Sequence, residues 1–194
     1  MRPLIKLFVL ACAVLGFAAA QTSRLEGFPA FAPETPLLEV LEQTEDTVRV
    51  RHGYGETDMP RNPERILAAD ETTLDYLLAL GLQPIGVTSY SPELPAYLAE
   101  RAGDIPVIAV AGGPDSVSLE AVLALEPDLI IGFEHLGGNA APELYAQLSR
   151  VAPTVSFLAP PENAFRTALP LLAEIFGAED VSAAAIADFE QEAA

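Results

Sequence analysis

The sequence predicts an α/β fold in which a doubly wound parallel sheet of about five strands is flanked by helices. Two observations carry this prediction. From residue 65 onward, short apolar runs typical of strands buried on both faces alternate with segments whose apolar residues recur at helical spacing. The joints between these segments are short, so right-handed crossovers between successive strands place helices on both faces of the sheet.

The strand predictions fall on short apolar runs, and the helix predictions begin at capping residues. The strands cover residues 66–69, 84–88, 105–110, 129–131 and 154–158. Asp70 caps the helix after the first strand, and Ser118 caps the helix before the fourth, with Leu119, Val122 and Leu123 on one face. Further helices are predicted over residues 94–101, 141–150, 164–176 and 181–194.

The residues ahead of this pattern have a different character. Residues 21–46 contain three prolines and a cluster of acids, which predict a linker or loosely ordered arm with a helical turn at 37–41. Residues 47–50 alternate apolar and polar, and Gly-Tyr-Gly follows at 53–55. That arrangement predicts a small edge hairpin ahead of the main domain.

The first twenty residues have the layout of a secretory signal peptide. Arg2 and Lys6 form a basic start, residues 7–17 are an apolar core, and alanines at 18–20 offer a cleavage site. The only cysteine, Cys12, lies inside the apolar core. We therefore favour export by cleavage to the periplasm, with a lipid anchor at Cys12 as the alternative.

The net charge of the sequence limits the classes of partner that the protein is expected to bind. Removal of residues 1–20 leaves 174 of the 194 residues and 8 of the 10 basic ones, against 28 acidic ones, for a formal charge of 8 minus 28, or −20. Such a field disfavours nucleic acid and anionic membrane surfaces. We expect a soluble monomer that uses neither as a partner.

Motifs of common enzyme classes are absent from the sequence. It contains no Gly-x-Gly-x-x-Gly after a strand, no phosphate loop ending in Gly-Lys-Ser or Gly-Lys-Thr, and no Gly-x-Ser-x-Gly elbow. The two histidines, His52 and His135, lie far apart in the chain, so a dedicated zinc or manganese site is not supported. We expect neither an enzyme nor a resident cofactor.

Residues 119–131 read Leu-Glu-x-x-x-x-Leu-x-Pro-Asp-Leu-Ile-Ile. This pattern resembles one in solute-binding proteins that deliver ferric siderophores, haem or cobalamin to ABC importers. Their N-terminal hairpin also ends in Gly-Glu-Thr before a proline, and residues 55–60 match that feature. The resemblance extends from about residue 47 to the last residue of the chain.

The resemblance implies the N-terminal lobe of a two-lobed binding protein. Residues 47–160 would form the lobe and residues 161–194 the start of the helix that crosses to a second lobe, which this sequence does not include. The implied ligand is an iron(III)-siderophore complex. Two alternatives stay open: cobalamin or haem, because residues 84–91 are similar to the cobalamin-binding branch, or a lobe that serves as a non-transport interaction domain.

In such a protein the ligand meets loops at the carboxyl ends of the strands. The ligand-binding residues predicted there are Glu71, Tyr90, Gly113, Phe133, Glu134 and His135. The Tyr90 phenol can stack on a ligand or bind Fe(III), but it can equally be a surface ring packed on Pro92. Glu134 and His135 could be two metal ligands or polar rim residues, and Glu71 also suits a helix start.

Glu120 carries a separate expectation. By resemblance, the acid at this position forms a salt bridge with an arginine of the importer's membrane subunit. From the residue alone, Glu120 is an acid in the first turn of a helix, where the macrodipole favours a negative charge.

Overall fold

The computed structural model of the chain describes residues 38–110, 117–133, 141–157 and 164–192. The predicted signal peptide and residues 21–37 of the predicted linker lie outside these ranges. Residues from Pro36 onward belong to one compact unit.

An antiparallel sheet of three strands comes first. It consists of β1 (Glu39–Gln43), β2 (Thr47–His52) and β3 (Gly55–Pro60), in the order β1-β2-β3. The predicted hairpin is confirmed as β2 and β3, but the helical turn predicted at 37–41 is wrong. Val40 pairs with Val50 of β2 in an antiparallel register, and it packs with Leu38 on the buried side of β2. Tertiary pairing therefore decides the conformation of this segment.

A parallel sheet of five strands follows, which confirms the predicted fold class. Its strands are β4 (Ile66–Ala68), β5 (Gly86–Ser89), β6 (Val107–Ala109), β7 (Leu129–Phe133) and β8 (Thr154–Phe157). They lie in the order β6-β5-β4-β7-β8, and each neighbouring pair is parallel. The chain thus winds from β4 to one edge, returns to the centre at β7, and ends at the other edge.

Six helices are described, close to the predicted positions. They are α1 (Glu71–Ala79), α2 (Ala96–Ala102), α3 (Leu119–Ala124), α4 (Ala141–Leu148), α5 (Ala164–Phe176) and α6 (Glu179–Glu192). Of the three residues predicted on one face of α3, Val122 takes the core position, whereas Leu123 is 54% exposed. No helix in the described ranges is both long and apolar enough to cross a membrane.

The two faces of the parallel sheet bury separate apolar cores. Ile66 and Ala68 of β4 point into one core and Leu67 into the other, as the alternation of side chains along a strand requires. Helices α1, α2 and α5 cover the first face with Leu74, Leu77, Leu98, Leu169 and Leu172. Helices α3 and α4 cover the second with Val122, Leu144 and Leu148.

The Pro-Asp pair before β7 has a structural role at the amino ends of the strands. Asp128 Oδ2 accepts a hydrogen bond from the Glu64 backbone N–H at 2.7 Å, and Oδ1 accepts one from the Arg65 N–H at 2.9 Å. The Arg65 guanidinium in turn donates to the carbonyl oxygens of Leu125 and Glu126. These hydrogen bonds connect the turn after α3 to the residues just before β4.

The three-stranded sheet covers the β8 edge of the parallel sheet. The Gly53 backbone N–H donates to the Ser156 carbonyl at 3.2 Å, and Thr57 Oγ1 donates to the Thr154 carbonyl at 3.1 Å. An uncovered edge strand would present unpaired polar groups to other chains. These contacts therefore protect β8.

His52 is buried at this junction in a defined protonation state. Its Nδ1 accepts a hydrogen bond from the Tyr54 backbone N–H at 3.2 Å, so a neutral ring carries its proton on Nε2, which lies 2.9 Å from Thr57 Oγ1. Burial lowers the pKa of His52 to about 4. The Tyr145 ring of α4 stacks on Tyr54, with their centroids 4.7 Å apart.

Candidate functional site

The strand order creates a switch point between β4 and β7. The chain leaves β4 toward β5 and leaves β7 toward β8, so the connections diverge at the carboxyl ends of these two strands. Open α/β sheets bind ligands in the crevice at such a point. Beyond β4, the Ala69 N–H still donates to the Ile131 carbonyl at 2.8 Å, which holds the two strands together up to the edge of the sheet.

Gly132 allows this close approach. A Cβ atom at that position would lie 2.5 Å from the Ala69 Cβ and 3.5 Å from Asp70 Oδ2. Any side chain there would force the ends of β4 and β7 apart. Gly132 lies within β7 and therefore allows the geometry of the switch point.

A cavity of about 200 Å³ opens beside the switch point, at the carboxyl ends of β4, β5 and β6. It is lined by Ala69, Asp70, Glu71, Thr72, Thr88, Ser89, Tyr90 and Val110. The lining thus combines the first turn of α1, the last residues of β5 and the residue after β6. Its polar groups are two carboxylates and several hydroxyls.

Hydrogen bonds fix the floor of the cavity. Thr88 Oγ1 donates to the Ala69 carbonyl at 2.6 Å, so the end of β5 is tied to the end of β4. The Ser89 hydroxyl lies within hydrogen-bond distance of Glu71 Oε1 and 2.7 Å from the Ser91 carbonyl, and it accepts from the Ser91 N–H at 2.9 Å. Because the hydroxyl has one proton, it donates to one of these two oxygens at a time.

The α1 terminus is held by a side-chain cap. Asp70 Oδ1 accepts from the Thr73 N–H at 2.7 Å, and Oδ2 accepts from Thr73 Oγ1 at 2.8 Å. The cap is the predicted one. It fixes the first turn of the helix, which carries Glu71 and Thr72 into the wall of the cavity.

Tyr90 forms the outer part of the wall. It directly follows β5, and 60% of its surface is exposed. A largely exposed aromatic ring at the mouth of a cavity offers a flat apolar face and a phenol to a ligand. This geometry is compatible with stacking, hydrogen bonding, or donation of a hard oxygen to a ferric ion.

A sequence model described as periplasmic binding protein matches residues 66–194, from β4 to the last residue of the sequence. This chain belongs to the periplasmic binding protein family. The matched range contains the switch point, the whole cavity and helices α1 to α6.

Relatives of this periplasmic binding protein have names that mention siderophores. The probable siderophore-binding lipoprotein YfiY of Bacillus subtilis is 32% identical over 146 residues, which are 75% of this chain and 43% of YfiY. The petrobactin-binding protein YclQ of the same species superposes with a TM-score of 0.60 at 26% identity, over 76% of this chain and 51% of YclQ.

The periplasmic catecholate-siderophore binding protein VctP of Vibrio cholerae gives a TM-score of 0.57 at 26% identity, over 75% of this chain and 50% of VctP. The chain thus spans about half the length of these relatives, or less.

The structure of this periplasmic binding protein brings two of the predicted ligand-binding residues together. Glu71 and Tyr90 line the same cavity, although they come from α1 and from the loop after β5. Phe133 ends β7 and pairs with Phe157 of β8, but its side chain is not described. Gly113, Glu134 and His135 lie outside the described residues.

Several lining residues were not among the predicted site residues. Asp70, Thr72 and Ser89 belong to the loops after the first two strands where recognition groups were expected, but they were not named as ligand-binding residues, and Thr88 was predicted only as the end of its strand. A signal was present, since Thr88 and Ser89 put two hydroxyls at the end of an otherwise apolar strand. In a parallel sheet that position faces the ligand crevice.

Glu120 lies on α3, away from the lining of the cavity. Its side chain is exposed in the first turn of the helix, which Ser118 caps by accepting from the Ala121 N–H at 3.2 Å. The exposed Leu123 comes three residues later, on the same side of the helix. An acid and an apolar side chain therefore lie side by side on an accessible surface.

The described residues contain no group of three or more histidine, cysteine, aspartate or glutamate side chains arranged to hold a metal ion. Among the described residues, Asp70 and Glu71 are the carboxylates that line the cavity.

Proposed function

We propose that this chain captures an iron(III)-siderophore-type chelate outside the cytoplasm and delivers it to the membrane subunits of an ABC importer. The observation that carries the proposal is the cavity at the switch point, with Tyr90 at its mouth and Glu71 and Ser89 inside. The names of YfiY, YclQ and VctP favour a siderophore over the alternatives of cobalamin or haem.

In this proposal the protein binds and releases its ligand without chemical change, so it is not an enzyme. The iron arrives as part of the substrate, held by the chelator, and the protein has no resident cofactor. Tyr90 stacks on the chelate while Glu71 and Ser89 hydrogen-bond to its polar periphery. Further candidates for contact remain Gly113, Phe133, Glu134 and His135, because Gly113 follows β6, Phe133 ends β7, and Glu134 and His135 follow β7 in the sequence.

The place of action follows from the family and the N-terminal sequence. We propose that residues 1–20 direct export and are then removed, which releases the protein to the periplasm. Attachment through Cys12 is the alternative, and YfiY is itself named a lipoprotein. Docking to the importer is proposed for the surface formed by Glu120 and Leu123, because both side chains are exposed beside each other.

The proposal is tested by titrating the chain, without residues 1–20, with ferric trihydroxamate, ferric tris-catecholate, ferric citrate, haem and cobalamin. The chain has five tyrosines and no tryptophan, so tyrosine fluorescence reports directly on ligand contact. We expect saturable quenching by a ferric chelate and a weaker response to the iron-free chelator. Saturation by haem or cobalamin alone, or by none of the compounds, would contradict the proposal.

A further inference from the structure

The charged side chains that line the cavity are both acidic. Of the lining residues that the structure describes, Asp70 and Glu71 are the only ionisable ones apart from the Tyr90 phenol. Both carboxylates are held in place, Asp70 by Thr73 and Glu71 by Ser89. No lysine or arginine belongs to this described part of the lining.

The arginines of the described ranges are engaged elsewhere. Four of them form ion pairs: Arg49 with Asp58, Arg51 with Glu39 and Glu56, Arg101 with Asp75, and Arg166 with Glu190. Arg61 donates to Gln43 and the Thr44 carbonyl, and Arg65 donates to carbonyls at the amino ends of the strands. Arg150 lies in the turn that leads into the amino end of β8. None of these cations is therefore available to the cavity.

The sequence adds no cation from the segments that follow β6, β7 and β8. Residues 111–116, 134–140 and 158–163 contain neither lysine nor arginine, and they do contain Asp115, Glu134 and Glu162. Lys6, in the predicted signal peptide, is the only lysine of the sequence. These segments therefore add no lysine or arginine that would compensate the acidic character of the lining.

Ferric chelates differ in charge at the surface that a protein touches. Three hydroxamate groups, each with one negative charge, neutralise Fe(III), whereas three catecholates leave the complex trianionic. A trianion placed against two carboxylates meets like charges in a partly desolvated site, which is unfavourable. A protonated amine on the periphery of a neutral chelate would instead pair with them.

We infer that this cavity selects a neutral or cationic ferric chelate of the trihydroxamate class over anionic chelates such as the tris-catecholates. The inference rests on the proposed function and narrows its ligand. Glu71, Asp70 and the hydroxyl of Ser89 are the selecting groups. A terminal ammonium of the chelate is placed beside the carboxylates while Tyr90 covers the apolar part of the ligand.

The test uses three ferric complexes with one iron-binding core and different terminal charges. The first is a linear trihydroxamate with a free terminal amine, the second has that amine acetylated, and the third has it succinylated to a carboxylate. A ferric tris-catecholate is the fourth ligand. We expect affinity to fall from amine to acetyl to succinyl, by at least about tenfold across the series, and added salt to shrink the difference.

A variant that adds a positive charge to the cavity, together with a control that adds the same charge elsewhere, tests whether the cavity selects the ligand. Thr72→Arg places a cation in the lining, and Ser149→Arg places the same cation in the exposed turn after α4, at the opposite edge of the sheet. We expect Thr72→Arg to flatten or reverse the order of the series and Ser149→Arg to preserve it. Circular dichroism checks that both variants are folded.

The outcomes separate this inference from the proposed function. The inference is overturned if the succinylated form or the tris-catecholate binds more tightly than the amine form, or if the whole series binds equally. Either result leaves siderophore capture standing. Failure of all four chelates and of ferric citrate to bind the parent chain overturns both. An order that is unchanged in Thr72→Arg also overturns the inference, because the cavity would then not be the selecting site.

Discussion

Asp128 shows how one residue of the sequence motif serves the fold. The resemblance rests in part on the Pro-Asp pair, and the structure gives that aspartate two backbone N–H groups, those of Glu64 and Arg65. It anchors the amino end of β4, whereas the cavity lies at the carboxyl end. A residue that carries a family resemblance therefore need not contact the ligand.

This role predicts the effect of Asp128→Asn. An amide has one acceptor oxygen, so at least one of the two N–H groups would face an amide donor and lose its partner. We expect the free energy of unfolding to fall by about 1–2 kcal/mol. Urea denaturation followed by circular dichroism measures the change. The control is Asp104→Asn, an identical substitution at an exposed aspartate, and an equal loss in the two variants would refute the role given to Asp128.

Only some residues of the cavity lining were predicted from the sequence as site residues, and the reason is physical. Glu71 and Tyr90 were predicted because each lies within three residues of the end of a strand, and a parallel sheet brings such residues to one edge. Asp70 carries both a cap and part of the cavity wall, and the sequence signal for a cap is the stronger of the two. Thr88 was missed because a short apolar run does not reveal which of its last residues turns into the crevice.

At the level of elements, β1 shows where the sequence pattern fails. Residues 21–46 are rich in proline and acids, yet Glu39–Gln43 of that segment forms a strand. The strand exists because its register with β2 pairs Val40 with Val50, a contact that no local pattern encodes. The β2–β3 hairpin was predictable, since alternation and a glycine turn are both local signals.

The junction between this sheet and β8 predicts a pH dependence of stability. The folded pKa of His52 is about 4, below the usual value of 6.5, so the unfolded chain binds more protons than the native state between these values. Stability is therefore lost as pH falls from about 6.5 to about 4. By the linkage relation the loss from this group is at most about 3 kcal/mol.

His52→Gln isolates that contribution, since carboxylates also titrate in this range. Glutamine keeps a donor for Thr57 but cannot gain a proton. We expect unfolding free energies measured between pH 7 and pH 4 to fall less steeply in His52→Gln than in the parent chain. Identical slopes in the parent chain and His52→Gln would argue against a buried neutral His52.

For the whole molecule, the alternation of strands and helices was enough to predict the doubly wound sheet. Buried parallel strands leave continuous apolar runs, and short joints allow few topologies. The size and lining of the cavity were not predictable, because they depend on the order β6-β5-β4-β7-β8 and on the close approach of Gly132 to Ala69. The exposure of Leu123 was not predictable from the shared helix face, because a six-residue helix buries only part of its apolar side.

Delivery to an importer involves a surface distinct from the cavity. Glu120 and Leu123 are exposed on α3 and do not belong to the cavity lining. We expect Glu120→Ala to leave chelate affinity unchanged and to lower uptake of the labelled ferric chelate by host cells at least about fivefold, the effect of losing one interface hot spot. Glu100→Ala, at an exposed acid of α2, is the matched control. A similar loss of uptake in the two variants, or none in Glu120→Ala, would contradict docking through this surface.

The most direct measurement of the central claim compares two tyrosines in a chelate titration. Tyr90 and Tyr97 are 60% and 58% exposed, but only Tyr90 lines the cavity. We expect Tyr90→Ala to weaken binding of the preferred ferric chelate at least about fivefold and to remove much of the quenching, while Tyr97→Ala binds like the parent chain. Equal affinity in the parent chain and Tyr90→Ala would contradict capture at this cavity.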